Sequence, residues 1–61
     1  MRTYDDLAEL ARICAQNARL ASSKEVAAEL WTMAHEYQQE AAKLDGGHLP
    51  DIGALPYWLT Q

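Results

Sequence analysis

The stretch from Ser23 to Leu44, SKEVAAELWTMAHEYQQEAAKL, constrains this chain more than any other part of it. Apolar side chains fall at Val26, Leu30, Met33, Tyr37, Ala41 and Leu44, in steps of 4, 3, 4, 4 and 3. That is helical spacing and not the alternation of a strand. Ala27, Trp31 and Ala34 widen the stripe on one side, and Glu25, Glu29, Thr32, Glu36, Gln39, Glu40 and Lys43 occupy the opposite face. Ser23 is placed to cap the N-terminus with its hydroxyl; Ser22 with Glu25 offers a capping box one residue earlier. Asp45-Gly46-Gly47 ends the helix, because a glycine past the last periodic leucine can take the left-handed conformation.

A first helix precedes it, from Tyr4 to Leu20 or Ala21. Thr3 to Asp6 has the form of a capping box, with Asp where Glu or Gln is usual. Its stripe is Tyr4, Leu7, Ala11, Cys14, Ala18 and Ala21, and a second apolar row of Leu10, Ile13 and Leu20 lies beside it. Only Asp5, Glu9, Arg12, Gln16 and Arg19 make a clearly polar face. A two-helix hairpin needs one buried stripe, so a stripe this wide implies a second surface to bury. Ala21 to Lys24 is the turn between the helices; the alternative is one continuous helix from Tyr4 to Leu44. The hairpin is the expectation, since helices much beyond about 25 residues are uncommon.

After Gly47 the character changes. Residues 48–61, HLPDIGALPYWLTQ, hold both prolines, which disfavour a continued helix. The segment is too apolar to be disordered by composition. The sequence predicts an extended arm, with a single helical turn near Pro56 to Leu59, packing on the hairpin or on a partner. The expected fold is all-α: an antiparallel hairpin of helices at about 4–21 and 24–44 within residues 1–47, and a C-terminal arm at 48–61. Pairing of two hairpins into a four-helix bundle would bury the surplus apolar face.

The string SKEVAAELWTMAHEYQQEAAKLDGGHLPDIG resembles a group of short bacterial proteins, common in alphaproteobacteria, with the pattern S-x-E-V-x-x-E-L-x-x-M-A-x-E-Y-x-x-x-A-x-x-L-D. Here the pattern is carried by Ser23, Glu25, Val26, Glu29, Leu30, Met33, Ala34, Glu36, Tyr37, Ala41, Leu44 and Asp45. The resemblance spans about half of the chain and stops before Ala54. Relatives often have proline where Lys24 stands. No activity is established for the group, so the resemblance supports the hairpin and brings no functional residue.

Sixty-one residues make one domain at most. Below about 70–80 residues a single core rarely supplies more than about 3–5 kcal/mol, and disulfides, a metal or association usually make up the difference. One cysteine allows no intrachain disulfide, and no Cys/His cluster has zinc spacing. Association is what remains. The net charge of −4, with five Lys and Arg spread along the chain, argues against nucleic acid as a partner. No apolar run approaches a membrane span. The acidic, helical opening MRTYDDLAEL is unlike a signal peptide, and a free cysteine fits the cytoplasm, the expected location.

Candidate chemistry is sparse. Glu25/Glu29 and Glu36/Glu40 are like-charge pairs one turn apart, which reads as a solvated face before a docking strip or a metal site; the Glu-x-x-His of bundle metal sites is absent. Cys14 reads as a small core residue, with an intersubunit disulfide as the alternative and catalysis the least favoured, since nothing local places His35 or His48 beside it. No catalytic residue, metal ligand or cofactor is expected. Partner-binding residues are expected at Trp31, His35, Tyr57, Trp58 and Leu59, because aromatics dominate interface energies and two tryptophans exceed what a two-helix core can hide. The expected function is a small acidic, non-enzymatic interaction module that self-associates, most simply as a homodimer, and docks on a larger protein. The alternatives are a subunit of a larger enzyme or respiratory complex anchored by its aromatic tail, and a small-ligand or metal binder between the helices.

Overall fold

A computed structural model describes residues 2–59. The chain forms two helices, α1 (Tyr4–Leu20) and α2 (Lys24–Leu44), and a 3-10 turn at Tyr57–Leu59. The two helices pack as an antiparallel hairpin, and among the described residues there is no strand.

The helix ends are set by local chemistry. Asp6 N–H donates to the Thr3 hydroxyl at 3.2 Å, and Thr3 N–H donates back to the Asp6 carboxylate at 3.1 Å. This reciprocal pair satisfies two of the donors that a helix N-terminus leaves orphaned. Ser23 caps α2 by accepting from Val26 N–H at 3.2 Å. At the far end Gly46 adopts φ +65°, and Gly47 N–H donates to the Ala42 carbonyl at 2.7 Å. That six-to-one bond is the closing bond of a Schellman C-terminus. Between the helices, Ala21 and Ser23 are both extended, which breaks the helix without glycine or proline.

The seam between the helices is made of alanine. Ala8, Ala11, Ala15 and Ala18 of α1 and Ala27, Ala34 and Ala41 of α2 are all but fully buried. Ala27, Ala34 and Ala41 recur every seven residues, the repeat of a seam between nearly antiparallel helices. Small side chains let helix axes approach to the short end of the ~8–10 Å range. The seam therefore lies along one edge of the stripe read off the sequence, through Ala41 and the flanking Ala27 and Ala34, and not along its centre. Val26, Met33 and Leu44 are exposed, and Leu30 and Tyr37 are only half-buried. The physical reason is fit: a methyl group admits a second backbone closely, and the larger side chains splay to the sides of the contact.

The arm crosses one side of this hairpin. Pro50, Ile52 and Pro56 are buried. Ile52 joins Ala11, Cys14, Ala15 and Ala34 in the core, with Trp31 and Tyr37 packed against it. Ile52 of the arm and the buried Leu7 of α1 thus supply branched aliphatic bulk that the alanines lack.

Candidate interaction site

One helical step is about 100°. Residues that follow a seam alanine by one therefore face one side of the hairpin, and residues that precede it face the other. Because the helices are antiparallel, a step forward turns toward the same side on both. The forward side holds Arg12 and Arg19 on α1 and His35 and Ala42 on α2, and here the arm lies. The backward side holds Leu10 on α1 and Val26 and Met33 on α2.

On the arm side, hairpin side chains donate to arm carbonyls. The Tyr4 hydroxyl reaches the His48 oxygen at 3.3 Å, and Gln38 Nε2 reaches Pro50 at 2.8 Å. Arg12 Nε donates to the Asp51 oxygen at 3.3 Å. Arg19 Nη1 spans two carbonyls, Ile52 at 3.1 Å and Ala54 at 3.0 Å. Between those two residues the chain turns through Gly53 at φ +88°, whose N–H donates to Asp51 Oδ1 at 2.9 Å. Arg12 and Arg19 looked solvated in the sequence. The signal that would have found them is their seven-residue spacing one step beyond Ala11 and Ala18, a row of cations flanking a seam.

The opposite side is open. It presents Leu10, Val26, Leu30, Met33, Tyr37 and Leu44 around the seam edge, with Met33 42% and Leu44 58% exposed. At one end Arg2, Leu7, Met33, Tyr37 and Leu44 with Glu36, Glu40 and Lys43 line a shallow groove of about 640 Å³. The Arg2 guanidinium sits 5.8 Å above the Tyr37 ring, within cation–π range. Ile13 and Leu20 lie farther round α1, away from α2, and Leu20 is 74% exposed.

The residues expected to bind a partner sit on two elements, α2 and the 3-10 turn, and the turn packs against α2. Trp31 is half-buried against the core, beside the exposed His35 in an edge contact at 6.4 Å. Tyr57 is 67% exposed and Leu59 half-buried on the 3-10 turn. The expectation for Trp58 falls on a side chain outside the described part of the structure. The spacing of Val26, Met33 and Leu44 predicts core, and the structure instead leaves this row of α2 exposed.

Cys14 is buried among alanines and packs as a small apolar residue. His48 is exposed; its ring lies 6.4 Å from that of Tyr4. Glu25, Glu29, Glu36 and Glu40 are all exposed. Among the described residues, no three His, Cys, Asp or Glu side chains are grouped to hold a metal ion, and no helix is long and apolar enough to cross a membrane. Compared with protein-family models, with curated proteins and with solved structures, the chain matches none.

Proposed function

We propose that the protein is a non-enzymatic protein–protein interaction module that self-associates through the open side of its hairpin. The observation that carries this is the division of labour on α2. The alanines face α1, and the large apolar side chains Val26, Met33 and Leu44 remain exposed. A second copy placed on that side buries them and completes a four-helix bundle. The molecule measures 33 × 20 × 14 Å. Its broad side is at most about 33 × 20 Å, so pairing uses most of that side to reach the ~600–1,000 Å² per partner of a stable interface. Size also favours pairing, since so small a core gains from association.

A second reading has its own support. Tyr57 is 67% exposed on the terminal turn, which suits an aromatic anchor for a larger assembly.

Light scattering behind size exclusion separates the two. A dimer that becomes monomer on Met33→Lys, with helicity intact, supports the open side as the self-association surface. A monomer at every concentration up to the millimolar range overturns it.

A further inference from the structure

The arm is held the way a groove holds a peptide. Tyr4, Arg12, Arg19 and Gln38 donate to the carbonyls of His48, Pro50, Asp51, Ile52 and Ala54. Bonds to main-chain carbonyls read an extended path and not a side-chain sequence. Selectivity then comes from the three buried side chains, Pro50, Ile52 and Pro56. A groove whose polar side chains here act as donors suits a segment with two prolines, since proline has a carbonyl but no N–H. Charge agrees: Arg12 and Arg19 face a segment whose one charged side chain is Asp51.

The tether is built differently. Asp45, Gly46 and Gly47 are exposed, both glycines have positive φ, and nothing lies within 4 Å of where a Cβ on either would sit. At this point the chain is held to α2 by the bond from Gly47 N–H to the Ala42 carbonyl, and there is open space where a side chain on either glycine would sit.

The geometry points to the arm-side groove as a peptide-docking site that also accepts an arm in trans, the occupant being residues 48–59 of a second copy exchanged at Gly46-Gly47. A second copy carries the same segment and remakes the same carbonyl contacts and the same three buried side chains. Closed and exchanged forms then differ only in the tether and in the entropy of association. The tether holds the cis arm at a millimolar effective concentration, so the groove is open to a competitor only where its own arm is weakened.

The test uses the full chain and a fluorescent synthetic peptide of residues 48–59, read by anisotropy. Ile52→Asp in the protein loosens the tethered arm, and this variant is expected to bind the wild-type peptide at least about tenfold tighter than the wild-type protein does. Adding Arg19→Ala to it weakens that binding about tenfold, and a peptide carrying Ile52→Asp does not bind. If the variant is partly unfolded, the wild-type peptide raises its melting temperature, because binding only the native state stabilises it. Ile52→Ala provides a milder loosening with the same expected order. The inference is overturned if neither variant binds the peptide or gains melting temperature up to millimolar peptide, or if a scrambled peptide does equally well. Met33→Lys, on the opposite side, leaves peptide binding unchanged, so loss of the bundle reading and loss of this one are told apart.

Discussion

The Arg19 guanidinium lies 3.1 Å from the point where a Cβ on Gly53 would sit, and the same nitrogen donates to the carbonyls on either side of that glycine. Arginine and glycine are thus matched: the bare Cα admits the guanidinium, and the left-handed turn aims both carbonyls at it. Gly53→Ala meets both a strained φ, worth about 1–2 kcal/mol, and a displaced Arg19. Gly46→Ala meets only the strain, because nothing lies near its Cβ position. The expected order of melting temperatures is wild type, Gly46→Ala, Gly53→Ala. In hydrogen exchange Gly53→Ala exposes the arm amides while α1 and α2 stay protected; equal losses for the two variants would contradict the match.

The alanine seam is intolerant of bulk. Ala34 is fully buried where α2 meets α1 and the arm. Ala34→Leu inserts three carbon atoms into that contact and is expected to cost about 1–3 kcal/mol by overpacking. Met33→Leu, one residue away, changes stability by less than about 0.5 kcal/mol, as surface substitutions usually do. Urea unfolding of both variants checks this, and a tolerated Ala34→Leu would move the seam elsewhere.

Association is expected to follow the open side and not the terminal turn. Val26→Lys and Met33→Lys each shift the dimer toward monomer by at least about tenfold in Kd, with circular dichroism unchanged, since each places an unpaired charge in a buried contact. Truncation after Gly53 leaves the dimer in place while lowering the melting temperature, because it removes the buried Pro56 and one carbonyl from Arg19. Sedimentation of the three variants decides. If only the truncation dissociates the dimer, the Tyr57–Leu59 turn is the clasp.

The caps contribute measurably. Thr3→Ala removes the acceptor for Asp6 N–H and is expected to cost about 1 kcal/mol. Asp6→Asn keeps a side-chain oxygen toward Thr3 N–H but loses the charge at the helix N-terminus, a smaller loss of about 0.3–1 kcal/mol. Thermal melts at low and high salt separate the two, since only the charge part is screened.

The sequence by itself determined the elements and their ends. Thr3 with Asp6, Ser23, and Gly46-Gly47 fix three helix termini through bonds to neighbours within five residues, and such local chemistry survives any tertiary arrangement. The extended arm and its closing turn were legible for the same reason: proline restricts its own backbone wherever it stands. Tertiary structure alone decided which edge of the apolar stripe of α2 is buried. The larger side chains Val26, Leu30, Met33, Tyr37 and Leu44 outweigh Ala27, Ala34 and Ala41 in any count of hydrophobicity, yet the alanines make the seam. Hydropathy measures what a side chain gains by leaving water, whereas close approach of two backbones depends on how little room it takes. Tertiary structure also decided the role of Arg12 and Arg19, which meet carbonyls more than thirty residues away. Those carbonyls arrive only when the arm folds back; the seven-residue spacing within α1 places the two cations in one row beside the seam but does not say what they meet.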